Sequence, residues 1–347
     1  MKAKSLQFEK AMIAALFVLL LVVVGTKNAL AQTQVATLQH GDDVSVYYGT
    51  NAFVEAHTAA QTGDIITLSS GTFVSCDITK AITLRGAGCA IDTVANTNPT
   101  IFGGNIKLNV ADTTNFLTIE GILFTNQVYF QTLNNPKFNR CNFTGIASLS
   151  TSSNMTYMNN AQFVNCIIDR FGFGYAPNTV LINSVVWQPS FNSNSPVMLY
   201  NSILKFPTST NVFSLSAYNS IVIRTSGNYG GPNSNCTFVN CIGIRLYTSQ
   251  TNLFGQGYAT GCITYTSFEE VFDSFAGEFS LDEPFILKDE IASGFLGGDG
   301  TQVGIYGGML PYSSRPTYMV LKRCNVANKS TIDGKLSVDI EVVTEEE

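Results

Sequence analysis

Short apolar runs recur along the chain at a nearly constant interval, each preceded by an asparagine and a small polar residue. The phrase "LYNSILKF" at 199–206 follows "LINSVVWQ" at 181–188 and precedes "AYNSIVIR" at 217–224. The asparagines of neighbouring phrases are 18 residues apart. A repeat of this length indicates units that stack in a row, each in contact with its neighbours.

One position of the repeat is Asn or Gly in every copy but one. Both residues tolerate the left-handed backbone conformation, so each marks a sharp bend between two short strands. Because no helical periodicity lies between the bends, the pattern predicts an all-β fold, a single right-handed parallel β-helix with three strands per coil. The five asparagines are expected to stack as an amide ladder. The corner positions are Gly86, Gly104, Gly121, Arg140, Asn165, Asn183, Asn201, Asn219, Asn240 and Gly261.

The residue after the corner is Cys or Ser in seven copies. These two residues share a small volume, which predicts a crowded interior site. A metal site is not expected, because neighbours in a ladder point the same way and the chain contains no CxxC pair. Disulfides between adjacent coils are an alternative for Cys141 with Cys166 and for Cys241 with Cys262. The seven residues are Cys141, Cys166, Ser184, Ser202, Ser220, Cys241 and Cys262.

The two ends of the repeat carry different patterns. Residues 50–61 predict a short amphipathic helix, which would cover the first coil within an N-terminal cap at 32–62. The β-helix is expected at 63–296, and a closing loop with a strand tail at 297–347. Within that tail, Leu336 to Val342 alternates apolar and polar residues, as a half-buried edge strand does. The glycines of 298–304 approximate a phosphate-binding motif, but no helix pattern follows, so the sequence favours a loop that closes the last coil.

The order of motifs at both ends resembles a known family. After the predicted helix come "GDIITLSSGTF" at 63–73 and "ITKAITLRGAG" at 78–88, as at the start of pectate-lyase-like β-helix domains of secreted bacterial proteins. "GGDGTQVGIYGGMLPY" at 297–312 and "DGKLSVDIEVVT" at 333–344 are similar to the end of uncharacterised β-helix proteins exported by Bacteroidota. The resemblance covers nearly all of the mature chain. It implies fold and export rather than activity, because β-helices host many functions.

The first 31 residues predict export. Three lysines precede an uncharged apolar run at 11–25, and Ala29-Leu30-Ala31 supplies the small residues that signal peptidase needs. A membrane anchor is the alternative, but the run is shorter than the roughly 20 residues of a spanning helix. Removal of 1–31 would leave 15 basic and 24 acidic residues, a net charge of −9 and no expected transmembrane span. This charge argues against a nucleic-acid partner.

The clear coils contain few of the groups that polysaccharide cleavage needs. Glycoside hydrolases use two carboxylates, and calcium-dependent lyases use an acidic cluster with a base. Between Gly121 and Phe268 the only acidic residue is Asp169, and no histidine occurs there. A run of eight acidic residues at 269–290 predicts a solvated closing segment, with a calcium site as the alternative. No cofactor is expected.

Two groups of residues are candidates for ligand binding. A column five residues after the corner contains three arginines, which predict an anion-binding strip for uronate or sulfated sugar; solvated charge at strand ends is the alternative. Aromatic residues on two neighbouring coils could form a platform on which sugar rings stack, or could pack a loop against the rod. The candidates are Asp169, Arg170, Arg224 and Arg245 for the strip, and Phe171, Phe173, Tyr175 and Trp187 for the platform.

These patterns lead to a function hypothesis. The chain is expected to be an exported, non-catalytic protein of the cell envelope or surface, with a polysaccharide or cell-surface glycan as its ligand. The competing hypothesis is a polysaccharide lyase or glycoside hydrolase that acts on acidic glycans through Asp169, Arg170 and residues outside the clear coils.

Overall fold

The computed structural model describes twelve stretches of the chain. They are residues 34–93, 97–149, 158–172, 176–190, 195–206, 212, 214–225, 232–247, 253–275, 277–315, 320–326 and 338–343. For 145–149, 320–326 and 338–343 only the backbone is described. The predicted signal peptide at 1–31 and the platform residues Phe173 and Tyr175 lie outside these stretches.

Short strands dominate the described chain. The helices are α1 (Ala52–Ala59) and α2 (Asp289–Gly294). The strands are β1 (Val35–His40), β2 (Asp43–Tyr48), β3 (Ile65–Leu68), β4 (Gly71–Phe73), β5 (Thr83–Arg85), β6 (Thr100–Phe102), β7 (Ile106–Val110), β8 (Thr118–Glu120), β9 (Ile122–Phe124), β10 (Val128–Asn134), β11 (Lys137–Asn139), β12 (Asn142–Leu149), β13 (Met158–Asn159), β14 (Gln162–Val164), β15 (Ile167–Gly172), β16 (Thr179–Ile182), β17 (Val185–Ser190), β18 (Val197–Tyr200), β19 (Ile203–Lys205), β20 (Leu215–Tyr218), β21 (Ile221–Arg224), β22 (Thr237–Val239), β23 (Ile242–Arg245), β24 (Tyr258–Thr260), β25 (Ile263–Tyr265), β26 (Val320–Val326) and β27 (Val338–Val343).

Two long sheets stack these strands into a parallel β-solenoid, which confirms the predicted fold class. Sheet A runs β2-β1-β3-β5-β8-β11-β14-β16-β18-β20-β22-β24. Sheet B runs β25-β23-β21-β19-β17-β15-β12-β9-β6-β4. The predicted third strand of each coil is seen, within the described residues, only where β7, β10 and β13 join sheet B. Two ladders therefore carry most of the stack.

The interior of the solenoid is a stack of phenylalanines and aliphatic side chains. The register places Phe102, Phe124 and Phe143 on successive coils, and the last two rings stack with centroids 4.9 Å apart. On the opposite wall, Phe138 and Phe163 stack at 4.7 Å. All five rings are buried, so like residues repeat at like positions because each coil must present the same width to its neighbours.

The corner between sheet A and sheet B has the predicted left-handed conformation in eight successive turns. The five asparagines have φ between 47° and 54°, and Gly121, Arg140 and Gly261 have φ of 68°, 50° and 62°. The prediction was wrong for Gly104, which follows β6 in sheet B instead of standing between the sheets. Neither Gly104 nor Gly86 is among the glycines with positive φ, so the first coils turn differently.

The Cys and Ser residues after the corner form a column of hydrogen bonds. The amides of Cys166, Ser184 and Ser202 donate to the hydroxyl of the next coil at 3.0, 3.1 and 3.1 Å. Each hydroxyl donates in turn to the carbonyl two residues before it, at 2.7–2.8 Å. Small size is therefore one requirement at this buried position, and an acceptor for the neighbouring amide is the second. The seven cysteines whose side chains are described are free thiols.

The side chains of the corner asparagines contact the C-terminal part of the chain, which corrects the predicted amide ladder. Asn183 donates through Nδ2 to the carbonyls of Ile305 and Gly307, at 2.8 and 2.7 Å. Asn219 accepts the amide of Gly298 at 2.9 Å. Amide ladders do occur at a different, exposed corner, where Asn160 bonds Asn135 at 2.9 Å and Asn178 bonds Asn160 at 3.1 Å.

Residues 266–275 and 277–315, here called the cover, lie on the outer face of sheet B. Apolar residues of the cover form a second core with the outward residues of β15 to β23. The glycine-rich part expected to close the last coil instead runs along the corners, and Arg315 reaches an ion pair with Asp92 at 3.2 Å. Where the cover packs on it, sheet B is thus largely apolar on both faces because both faces are buried. The second core contains Ile167, Val185, Trp187, Ile203, Ile221, Ile223, Ile242, Ile244, Phe268, Val271, Phe272, Phe275, Phe285, Leu287, Ile291, Val303 and Ile305.

The N-terminal end combines a predicted and an unpredicted element. The helix expected at 50–61 is present as α1, whose Phe53 packs on Phe102 with ring centroids 4.7 Å apart. Lys80 donates to three carbonyls at the end of α1, at 2.6–2.9 Å. The hairpin of β1 and β2, which continues sheet A in the antiparallel sense, was not predicted. Near the C-terminus, β27 overlaps the strand predicted at 336–342, and among the described strands its one partner is β26.

Candidate functional site

The predicted basic column lies at the carboxyl ends of the strands of sheet B. The register places Gln188 beside Arg170 and Arg245 beside Arg224, as the repeat predicts. Parallel strands bring equivalent positions of successive coils about 4.8 Å apart. Residues that lie far apart in the sequence therefore share one column along the rod, and Phe206 of the interior core interrupts this column between Gln188 and Arg224.

Asp169 contacts two other side chains at one end of the predicted strip, those of Gln188 and Arg170. Its Oδ1 accepts a hydrogen bond from Gln188 Nε2 at 2.9 Å, and its Oδ2 lies 3.7 Å from Arg170 Nε. The Arg170 side chain is about half exposed and the Asp169 carboxylate less so. An exposed pair of this length contributes little stability, and about half of the Arg170 side chain remains accessible to solvent.

Lys205 extends the strip across two further coils. Its Nζ lies 4.4 Å from the centre of the Trp187 ring, a cation–π contact. Burial lowers the pKa of Lys205, and the negative charge of Asp169 opposes that shift. The amine is therefore a half-buried cation that lies over an aromatic face and within the field of a carboxylate.

Arg224 and Arg245 form the far end of the predicted column. Arg224 is 2 % exposed, and its guanidinium lies 5.3 Å from the centre of the Tyr247 ring. Solvated charge at a strand end, the alternative weighed above, does not describe Arg224. Arg245 is partly buried, and its strand β23 lies two coils beyond the strand β19 that carries Lys205.

The predicted aromatic platform does not face solvent where the structure describes it. Phe171 is buried in the interior, with its ring 5.2 Å from Phe163 and 5.7 Å from Phe130. Trp187 is 4 % exposed and packs edge-on against Phe275 of the cover, with ring centroids 5.6 Å apart. Both side chains therefore belong to the two cores and present no face on which a sugar could stack.

Two members of the site were missed from the sequence, although the repeat contains the signal. Lys205 stands four residues after its corner asparagine, as Asp169 and Trp187 stand four after theirs. Gln188 stands five residues after Asn183, in the same column as the three arginines. The residues four positions after the corner, taken together with those five positions after it, would have grouped Asp169, Gln188 and Lys205 in one strip.

The charge of this strip is opposite to that of the whole chain. Arg170 and Lys205 supply two half-exposed cations near the one carboxylate of Asp169, whereas the chain has a net charge of −6. Groups of this kind bind carboxylates and sulfates through charge-assisted hydrogen bonds. Among the described residues, no three His, Cys, Asp or Glu side chains are arranged to hold a metal ion.

Comparison with protein-family models, curated proteins and solved structures finds no match to this chain. Within the stretches that the structure describes, no helix has the length and apolar character to cross a bilayer.

Proposed function

We propose that the protein is an exported, non-catalytic β-solenoid protein of the cell envelope or surface, and that it binds an acidic polysaccharide along sheet B. The binding strip consists of Asp169, Arg170, Gln188 and Lys205. One observation carries the proposal: Arg170 and Lys205, two cations of an otherwise acidic chain, both lie near the Asp169 carboxylate where sheet B reaches solvent.

The groups of the strip match the chemistry of a uronate or sulfated sugar. Arg170 offers planar paired donors to a carboxylate or sulfate, and Lys205 offers a point charge. The amide of Gln188 and the carboxylate of Asp169 provide an uncharged donor and an acceptor for sugar hydroxyls. A polysaccharide repeats its groups along its length, as the solenoid does, so one chain can contact several coils.

Export and kinship belong to the same proposal. The apolar segment and the Ala29-Leu30-Ala31 motif support removal of a signal peptide. The order of motifs after α1 supports kinship with secreted pectate-lyase-like β-helix proteins. Fractionation of the producing cells, with N-terminal sequencing of the purified protein, tests export and removal of the signal peptide. Cytoplasmic protein that keeps residues 1–31 would contradict export.

Binding is tested by titration calorimetry with polygalacturonate, alginate and a neutral glucan. We expect acidic chains to bind and the neutral chain not to bind, with affinity that falls as salt rises. Arg170→Gln with Lys205→Gln should weaken binding at least tenfold. Lys137→Gln, which removes an exposed lysine on sheet A, is the control and should change little. Equal weakening in both variants would show that net charge, and not the strip, attracts the ligand.

The competing function is elimination at a uronate, and the pKa of Lys205 favours it. A lysine whose pKa is lowered by burial can act as a base. It would take the proton at C5 of a uronate, while the C4–O bond breaks and the leaving oxygen takes a proton from water. The product is an unsaturated uronate, which is detected by its ultraviolet absorbance.

Lys205→Arg separates the two functions, because it keeps the positive charge but removes the base. Binding without elimination in both the native protein and this variant supports the proposed non-catalytic role. Elimination by the native protein that Lys205→Arg abolishes, with binding retained, would establish the lyase instead.

A further inference from the structure

Sheet A ends at the N-terminal side in an open strand. β2 pairs with β1 over six uninterrupted residue pairs, and in the described stretches of the chain no strand pairs with its other edge. All six residues of β2 are exposed or half-exposed. The neighbouring end of sheet B differs, because Val74, just after β4, donates its amide to Thr50 at 2.9 Å. The rest of this end is covered by α1.

The open strand lacks the features that normally protect a sheet edge. Between Val44 and Tyr48 there is no charged residue, no proline and no bulge, all of which discourage pairing. Val44, Val46 and Tyr48 are 60 %, 46 % and 66 % exposed. Tyr47 packs on the interior core, so alternation places the three exposed residues together on the opposite face. The far end of sheet A is protected in another way, since β24 is only three residues long.

We propose that two copies of this chain pair through β2, antiparallel and about a two-fold axis at Val46. An axis perpendicular to the sheet keeps the same face outward in both copies, as an isologous contact requires. In this register Val46 lies opposite Val46 of the second copy, and Val44 lies opposite Tyr48. The three apolar residues of each copy thus form one row of three cross-strand pairs.

Charge favours the same register. Asp43 is the only charged residue of β2, and here it lies opposite Gly49 of the second copy. The two Asp43 carboxylates are then separated by six residues, roughly 20 Å at 3.4 Å per residue. That distance exceeds the Debye length of about 8 Å at physiological salt. Pairing in the parallel sense would instead place the two carboxylates side by side.

The size of the contact sets the expected affinity. Six residues of backbone and three apolar side chains per copy make a smaller interface than the roughly 1,200–2,000 Å² of stable complexes. We therefore expect a reversible dimer that forms at high protein concentration. Two copies joined in this way would continue sheet A across the axis.

Sedimentation equilibrium of the native protein, over concentrations up to the millimolar range, tests the proposal. We expect a monomer–dimer equilibrium that Val46→Lys abolishes, because it places two ammonium groups opposite each other. The control is Tyr258→Lys, which changes a residue that is 65 % exposed on β24 at the other end. A native protein that stays monomeric, or a dimer that Tyr258→Lys rather than Val46→Lys abolishes, overturns the proposal.

A second variant tests the register without weakening the edge. Val46→Cys should form a disulfide with itself in the second copy when treated with diamide, whereas Val44→Cys should not. Peptide mapping distinguishes this bond from any formed by the half-exposed Cys76 or Cys262. Cross-linking at position 44 in preference to 46, or a series of higher oligomers, would contradict a closed two-fold pair.

Discussion

Replacement of Ser202 by alanine tests whether the column behind the corners is held by hydrogen bonds or by size alone. Ser202 is fully buried. Its Oγ accepts the amide of Ser184 at 3.1 Å and donates to the carbonyl of Tyr200 at 2.8 Å. The Tyr200 carbonyl also accepts the amide of Asn183 at 3.0 Å, so it keeps a partner in the variant. The Ser184 amide loses its acceptor in a dry position.

The cost follows from that one orphaned group. A buried donor left unpaired costs about 1–3 kcal/mol, which is the expected loss in the free energy of unfolding for Ser202→Ala. Ser202→Cys should cost less, under about 1.5 kcal/mol, because it conserves shape and retains a sulfur acceptor. Cysteine already serves as the acceptor near the last coil, where the Cys241 amide lies 3.4 Å from Cys262 Sγ.

Urea unfolding measures these differences, followed by circular dichroism and by the fluorescence of Trp187, the only tryptophan. Coincident transitions would justify a two-state analysis. Ser216→Ala is the control, because Ser216 is half-exposed on sheet A, and it should change stability by no more than about 0.5 kcal/mol. Should Ser202→Ala match the control, or Ser202→Cys prove less stable than Ser202→Ala, the hydrogen-bond explanation would fail.

Four further predictions concern the corners, pH and thiols. Asn201→Val should destabilise the fold by about 1–2 kcal/mol or more in thermal unfolding, because its φ of 47° excludes a β-branched residue; Asn201→Gly should be milder. Asn183→Asp should loosen the cover, since a carboxylate would face two carbonyl oxygens, and hydrogen exchange at 303–308 should rise while the solenoid strands stay protected. Burial, reinforced by the charge of Lys80, lowers the pKa of His57. Below about pH 6.5 the unfolded chain therefore binds more protons than the folded chain, and the free energy of unfolding should fall by at most about 1.4 kcal/mol per pH unit. A His57→Gln variant should lack this contribution to the pH dependence. A hydrogen bond from the Cys241 thiol lowers the pKa of Cys262 to about 7, whereas burial raises the pKa of Cys76 to about 11. Iodoacetamide at pH 8 should therefore label Cys262 before Cys76. Equal labelling of these two thiols would contradict these environments.

The fold could be predicted because the same corner pattern recurs many times along the chain. Each corner asparagine is a local requirement of the backbone, and its φ depends on the residue itself more than on distant segments of the chain. The left-handed corner at Asn165, Asn183 and Asn201 was therefore predictable from the repeat. Gly104 was misplaced because an 18-residue interval alone cannot distinguish the corner between the two sheets from another bend within the same coil.

The partners of the corner side chains could not be predicted in the same way. The amide of Asn183 bonds residues more than 120 positions later, in a segment without repeats. The pattern of sheet B did contain a hint, because its strands are apolar at consecutive positions. A strand of that kind must be buried on both faces, and the remaining question was which segment supplies the second face.

The candidate site illustrates how the cover and the strip share sheet B. Two residues after the corner, the outward side chains are Ile167, Val185, Ile203, Ile221 and Ile242, all of which lie in the second core. Four residues after the corner, the same face reads Asp169, Trp187, Lys205, Ile223 and Ile244.

This second column changes from isoleucine to charged residues toward the earlier coils. Ile223 and Ile244 lie in the second core, whereas Asp169 and Lys205 remain partly exposed. The charged positions therefore mark the margin of the cover, where sheet B emerges to solvent. Trp187 stands at that margin, with the cover on one side and the Lys205 amine on the other. A ligand bound to the strip would thus contact the boundary between the solenoid and its cover, so binding of an acidic polysaccharide should also slow hydrogen exchange in the cover around Phe275.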